Sequence, residues 1–311
     1  MKRPTVSVLI PTYNYARFLP EAIESVLQQD FTDFELIISD DASSDNTVEV
    51  CQKYAERDPR IRFVRQEKNL GLAGNFNWCL QTARGEFIKF LMADDRLERP
   101  YALTKLVEAI RKPGISLAGS ARNLMDESSA VTGTWNPLGS MDSLLCGEEI
   151  ILRCLKNDLN MIGEPSAVLF KAADAKRGFR PDYRQLIDLE MWFHLLRCGG
   201  LAYIAEPLCG FRRHSAQETE NNRKTGSHWY EMVELSRSYL NAFSAKIALF
   251  RQLRSIEKRR PDLADLVEKL RANFSPAEYL FFLIRFKFLR CFIRLHRSLN
   301  KAVSGKTGGC E

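Results

Sequence analysis

The sequence predicts an α/β fold: a mixed, mainly parallel sheet with helices on both faces, followed by a helical C-terminal extension. Three observations carry this. Short apolar runs alternate with amphipathic stretches through the first half of the chain. Polar motifs follow directly on several of the apolar runs, where such sheets gather ligands. From Trp229 onward the pattern is helical throughout. Strand–helix alternation implies parallel strands covered on both faces.

Val6 to Ile10 is an apolar strand ended by Pro11. Leu19, Ile23, Val26 and Leu27 mark one face of a helix, with Pro20 tolerated in its first turn. Phe34 to Ser39 reads as the second strand and Asn46 to Arg57 as the second helix. Ile61 to Arg65, a helix from Leu72 to Ala83, and a strand at Phe87 to Leu91 continue the alternation. After Pro100 a helix to Arg111 leads to a strand at Ile115 to Ala118. Residues 120–145, Ser- and Gly-rich, read as an antiparallel excursion and a loop. Ala167 to Phe170 and Leu201 to Ile204 are further strands, separated by a helix at Leu186 to Cys198. Residues 215–228 are polar throughout and read as a loop. The expected organisation is a domain over 1–230, with halves at 1–119 and 120–230, then an extension over 231–311.

With 311 residues, 45% hydrophobic and 27% charged, the chain has the composition of an ordered globular protein. The net charge of +6 is unevenly placed: residues 231–311 hold 16 Lys and Arg against 8 Asp and Glu. The eight cysteines form no Cys-x-x-Cys and no zinc-like spacing, which fits a reducing cytoplasm. The first strand begins by Thr5, which leaves no room for a signal peptide. The longest apolar run near the C-terminus, Tyr279 to Ile284, falls far short of the ~20 residues of a spanning helix.

Three strand-end motifs carry chemistry. The first strand ends in Pro11-Thr12-Tyr13-Asn14, offering a ring to stack on a nucleobase and backbone groups for its edge. Asn14 alternatively caps the next helix. The second strand ends in Asp40-Asp41, and an acidic group there can accept the imide N–H of a base or a ribose hydroxyl. The following Ser43 to Asn46 reads as a cap for the second helix. The run Gly85 to Asp95 delivers two adjacent carboxylates, Asp94 and Asp95, to a strand end. Carboxylates there suit a hard divalent cation, and that cation suits a diphosphate.

These motifs in this order, with Asn69-x-Gly71 between the second and third, resemble the inverting glycosyltransferases of family two, which have a GT-A fold. The resemblance covers the first hundred residues in register and extends more loosely to residue 214. It implies a nucleotide-sugar donor, usually a UDP-sugar, and Mn²⁺ or Mg²⁺. Pro11, Tyr13 and Asp41 would hold the base, Asn69 and Asp95 would line the donor site, and Asp94 would bind the metal. Two positions depart from the family pattern. Met92 stands where the first Asp of Asp-x-Asp is usual, and Asn75-Phe76-Asn77 stands where Ala-Arg-Asn is frequent.

The resemblance also aligns Asp188 with the family's general base. Inversion needs an acceptor hydroxyl deprotonated opposite the departing diphosphate; the structural alternative for Asp188 is a helix cap. Phe211-Arg212-Arg213-His214 aligns with Tyr-Arg-x-His, which implies that Arg212 and His214 contact the diphosphate or its metal, with 215–228 as a lid. Glu164 and Ser166 are candidates on the acceptor side. Trp192 is either a sugar platform or, the more common use of a helical Trp, core.

At the C-terminus, Lys287, Arg290, Arg294, Arg297 and Lys301 fall within an arc of about 80° on a helix. Phe and aliphatic residues cover most of the rest, so residues 275–303 suit an anionic membrane surface, with a lipid-linked saccharide as the acceptor that follows. Packing on the chain's own domain, or on a second subunit as a homodimer, is the alternative. Nucleic acid is excluded as a partner, because the arc lacks polar base-reading residues. A nucleotidyltransferase should show a Gly-rich, basic phosphate loop after the first strand, and Pro11-Thr12-Tyr13-Asn14-Tyr15 is not one. A scaffold that binds nucleotide sugars without turnover is the remaining alternative.

Overall fold

The computed structural model describes residues 3–214, 226–260 and 262–284. Two compact units divide the chain, Met1–Leu235 and Ser236–Glu311. Residues 215–225 of the expected lid, and the basic arc from Lys287 to Lys301, lie outside the described residues.

The first unit is built on a ten-stranded sheet in the order β3-β2-β1-β4-β9-β6-β10-β5, with β7 on β6 and β8 on β10. β1 (Val6–Thr12), β2 (Phe34–Asp40), β3 (Ile61–Arg65) and β4 (Phe87–Phe90) are parallel. All seven residues of β1 and of β2 are buried, as expected of central strands covered on both faces. β6 (Ile115–Met125) and β10 (Gly200–Arg212) form a second parallel pair. Between the two halves lies β9 (Val168–Lys171), antiparallel to both β4 and β6. The sheet therefore has a seam, and the turn leading into β9 sits on it.

Side-chain alternation sorts the core into two layers. Val6, Val8 and Ile10 of β1 pack with Leu19 and Ile23 of α1 (Leu19–Leu27) and with Leu103 and Leu106 of α4 (Ala102–Ile110). Elsewhere in the core is an aromatic stack. Phe90 lies 4.9 Å from Phe76 of α3 (Gly71–Thr82) and 5.5 Å from Phe179, and Phe170 lies 5.5 Å from Trp192 of α6 (Ile187–Leu196). α2 (Thr47–Arg57) follows β2. Asn46 places no side-chain cap on it; the carboxylate of Asp45 accepts from the N–H and hydroxyl of Thr47 instead.

The structure departs from expectation in the second half. β6 and β10 run well past the expected Ala118 and Ile204 to Met125 and Arg212, because their parallel pairing absorbs register shifts around Pro207. The excursion is β7 (Val131–Trp135), antiparallel to β6, then β8 (Ser143–Leu145), antiparallel to β10. An unanticipated helix, α5 (Gly147–Asn157), buries Ile150, Ile151, Cys154 and Leu155 at helical spacing. β5 (Arg96–Leu97) is a short rung on β10. α7 (Ser227–Tyr239) follows in the chain.

In the second unit, α8 (Ala242–Arg259), α9 (Ala264–Arg271) and a helix α10 described over 276–284 gather around one ring. Phe250 lies within 5.8 Å of Phe274, Tyr279 and Phe282. Leu280, Phe281 and Ile284 are each about half exposed. No helix among the described residues is long and apolar enough to cross a membrane.

A methyl group at Gly147 would lie 2.0 Å from the carbonyl of Leu196 and 2.5 Å from that of Gly199. Gly147→Ala is therefore expected to lower unfolding stability by about 1–3 kcal/mol, read from the urea midpoint, despite alanine's better helix propensity. An unchanged midpoint would show that α5 can shift away from α6.

Candidate active site

The site begins at the end of β1. Tyr13 is 48% exposed, the most open aromatic ring of the first unit's strand ends, while Pro11 before it is buried in the strand. Asn14 takes a positive φ of 59° and does not cap α1; its amide oxygen accepts from the N–H of Ser44, and its N–H donates to Ser43. This fastens the β1 loop to the β2 loop.

Asp41 closes that corner. Its N–H donates to the carbonyl of Thr12 at 2.9 Å, and its two carboxylate oxygens accept from the N–H groups of Leu70 (2.7 Å) and Gly71 (3.0 Å). Burial pushes its carboxyl upward, offset in part by those two bonds. Asn69 is exposed and donates to the carbonyl of Asp41, so its observed part is to hold this loop. Between Pro11 and Tyr13, the hydroxyl of Thr12 is buried without a hydrogen-bond partner among the described residues.

The two carboxylates after β4 differ. Asp94 presents Oδ2 to Nε2 of His214 at 3.0 Å, and the His214 ring packs against Phe18 (5.3 Å) and Tyr15 (5.7 Å). Asp95 is the inner one, 1% exposed. It accepts from the hydroxyl of Ser166 (2.5 Å) and the N–H of Arg212 (2.9 Å). Burial, reinforced by the charge of Asp94, pushes its carboxyl well above the ordinary range.

Three expected site residues are corrected. Arg212 does not offer its fork to a diphosphate: it is fully buried, donating to the carbonyls of Asp94 and Asp126, to Ser129 and to Glu21 of α1. Its guanidinium lies 4.7 Å from the centre of the Phe18 ring. Trp192 is no sugar platform, because the ring is wholly inside the core with its N–H donating to the carbonyl of Gly163. Ser166 is buried and does not face an acceptor, its hydroxyl joining Asp95 to the N–H of Met92.

The surroundings of Asp188 are organised by the turn 160–166. Asn160 accepts from the N–H groups of Ile162 and Gly163 through Oδ1 and donates through Nδ2 to the carbonyl of Gly163 and to Oδ2 of Asp188 (3.0 Å). Gly163 takes a φ of 140°, a conformation that favours glycine. Glu164 is paired with the buried Arg122. Asp188 is half-buried in the first turn of α6, with Oδ1 accepting from the N–H of Leu189. Burial, then the charge of Glu164, pushes its carboxyl up to about 7, against the opposing pull of the Leu189 N–H and Arg122. That is where a general base at neutral pH should titrate.

Beneath the turn lies Lys89 of β4, fully buried. Its ammonium donates to the carbonyls of Phe90 (2.8 Å), Pro165 (3.3 Å) and Ser166 (2.5 Å). Burial lowers it to about 8. The Asp94–Asp95 pair and Asp188 are thus tied to one turn, from below by Lys89 and from either end by Ser166 and Asn160. Lysine inside the apolar run Phe87-Ile88-Lys89-Phe90 was the one signal of this in the sequence; nothing marked Asn160 or Arg122. Where the family often carries arginine, Phe76 fills the aromatic core, and its neighbours Asn75 and Asn77 bond to Ser39 and to the backbone of Phe179.

Among the described residues no group of three or more His, Cys, Asp or Glu side chains is arranged to hold a metal ion. Asp94 and His214 form a two-donor set, which fits a cation whose remaining positions are filled by substrate phosphates and water.

Comparison with known proteins agrees with this architecture. The chain is 36% identical to chondroitin synthase of Escherichia coli over 205 residues, 65% of this chain and 28% of that longer enzyme. Its fold matches that of TarS residues 1–349 from S. aureus in complex with UDP-GlcNAc, with a TM-score of 0.65 at 16% identity, covering 86% of this chain and 79% of those TarS residues. It also matches the mannosyltransferase PcManGT of Pyrobaculum calidifontis in complex with GDP-Man and Mn²⁺, with a TM-score of 0.56 at 16% identity, covering 94% and 87%. The fold is of the GT-A kind that the motif order implied. Residues 7–176 match the family model for glycosyl transferase family 2, and the chain belongs to that family.

Proposed function

We propose that this glycosyltransferase moves a sugar from a nucleotide-diphosphate donor, a UDP-sugar, to the hydroxyl of a saccharide acceptor with inversion at the anomeric carbon. The observation that carries the reading is the turn 160–166, which ties the Asp94–Asp95 pair to a carboxyl that titrates near neutrality, Asp188.

On the donor side, the exposed ring of Tyr13 stacks on the base, next to the orphaned hydroxyl of Thr12 and the loop that Asp41 fastens. The site's donor set fits Mn²⁺ or Mg²⁺ at Asp94 and His214, and the cation, when bound, supplies charge neutralisation at the diphosphate. Arg212 and Asp95 keep that corner rigid. The solved mannosyltransferase of the same fold, with its GDP-Man and Mn²⁺, supports the pairing of nucleotide sugar and metal.

On the acceptor side, Asp188 in its ionised form takes the proton of the incoming hydroxyl. The hydroxyl oxygen bonds to the anomeric carbon as the bond to the diphosphate breaks, and the nucleoside diphosphate leaves with that electron pair. Glu164, held by Arg122, is the group positioned to orient the acceptor. The exposed Leu280, Phe281 and Ile284, continued in sequence by the basic arc, support an acceptor presented at an anionic membrane surface, as a lipid-linked saccharide is.

UDP with Mn²⁺ is expected to raise the melting temperature, by an amount set by RT ln(1 + [L]/Kd). EDTA or Asp94→Asn should remove most of the shift; a shift indifferent to both would sink the metal assignment.

Asp188→Asn should reduce transfer by a factor of about a hundred or more and leave the UDP shift intact. The base is active when deprotonated, so kcat/KM for acceptor should fall about tenfold per pH unit below about 7. Because the charge of Glu164 raises the Asp188 carboxyl, Glu164→Gln should move that limb to lower pH. Full transfer by the Asn variant would remove Asp188 as the base, and a wild-type protein that binds UDP without transferring sugar would leave the binding-only reading in its place.

In a flotation assay with anionic liposomes, the full chain should float, and a chain ending at residue 274 should not. Equal flotation would exclude the membrane surface as the partner of 275–303.

A further inference from the structure

Asp188 is placed by a carboxylate that belongs to another helix. α6 begins at Ile187 with Leu186 at its cap position and no side-chain cap of its own. A helix start of this kind leaves N–H groups without intrahelical partners. The N–H of Leu186, at that cap position, and those of Arg184 and Gln185 just before the helix converge on Glu231 of α7. Its Oε1 accepts from Arg184 (2.9 Å) and Gln185 (3.2 Å), and its Oε2 from Gln185 (3.0 Å) and Leu186 (2.7 Å). Successive N–H groups form a concavity that binds an anion, and the chain fills it with its own side chain. Each bond is charge-assisted and so stronger than a neutral one.

We propose that Glu231 is a positioning residue for sugar transfer: by gripping 184–186 it fixes the backbone that carries Asp188 two residues further on. The inference rests on the reading of Asp188 as the base. Asn160 orients the carboxylate of Asp188 directly, but it restrains only the side chain, whereas Glu231 restrains the entry of the helix. The described ends of the stretch from His214 to Glu231 are each fastened to one half of the site, His214 to Asp94 and Glu231 to the Asp188 loop. Glu231 touches none of the residues assigned to the donor, so its loss should act on turnover and spare nucleotide binding.

The test is steady-state transfer by the full chain with Glu231→Ala and Glu231→Gln, alongside wild type and Asp188→Asn. The Ala variant should lose about ten- to a hundredfold in kcat, with KM for the nucleotide sugar and the UDP melting shift unchanged. Formate, small enough to enter the vacated concavity, should restore part of that kcat, and sodium chloride at equal ionic strength should not. The Gln variant keeps one acceptor oxygen and should fall between wild type and Ala; it also serves if the Ala variant does not fold. Wild-type kcat in the Gln variant together with wild-type kcat in a folded Ala variant overturns the inference. So does a loss that formate leaves untouched, or one in which KM for the nucleotide sugar rises in parallel. With wild type active and Asp188→Asn inactive, those outcomes leave the assignment of Asp188 standing. A wild-type protein that transfers no sugar from any nucleotide sugar overturns the functional reading itself, and this inference with it.

Discussion

A lysine ammonium buried among three carbonyls is the constraint from which the site is built. Lys89 has no water to solvate it, and it is satisfied only because Phe90, Pro165 and Ser166 turn their oxygens toward it. The Pro165 carbonyl also accepts from the N–H of Val168, so removing the amine would bear on the carbonyls of Phe90 and Ser166, at about 1–3 kcal/mol for each left unpaired. The lysine thereby fixes where the 160–166 turn passes over the end of β4. Ser166 then reaches Asp95, and Asn160, at the other end of the turn, reaches Asp188. The turn also enters β9, the antiparallel strand joining the two parallel halves of the sheet. The Asp94–Asp95 pair and Asp188 are in register because both are measured from one buried charge.

A second buried charge plays a comparable part at the donor corner. Arg212, arriving at the end of β10, gathers the backbone of Asp94 and Asp126 with Ser129 and Glu21. Glu21 is itself shared with Arg96, and although burial raises its carboxyl, the Ser129 hydroxyl and the arginines outweigh that and hold it low. The corner that presents Asp94 to His214 is thus held by backbone bonds, which orient the carboxylate without competing for its outer oxygen lone pairs.

The parts of the fold legible in the sequence were those set by local periodicity. β1 to β4 and α1 to α4 are marked by apolar spacing that a buried parallel sheet imposes, and the motifs at their ends mark the crevice. The second half was less legible, since β6 and β10 extend by pairing with each other across some 80 intervening residues. α5 was missed although its apolar pairs at Ile150-Ile151 and Cys154-Leu155 have helical spacing. Within the site, residues proposed to meet a ligand through side chains of the expected type were nameable: Tyr13, Asp41, Asp94, Asp188 and His214. Residues that act by holding backbone were not. An asparagine at 160 looks like any loop asparagine until its four hydrogen bonds are seen. Arg212 shows the converse, where a residue apt for phosphate is buried as a strut.

The way Lys89 grips its turn bears on how such an enzyme diversifies. The ammonium binds carbonyl oxygens, which every amino acid carries, so it places no demand on which side chains stand at 161–165. The limits on exchange come instead from Gly163, whose φ of 140° favours glycine, and from Glu164, which pairs with the buried Arg122. Variation in such a turn is channelled to its remaining positions, while its path over the sheet stays fixed.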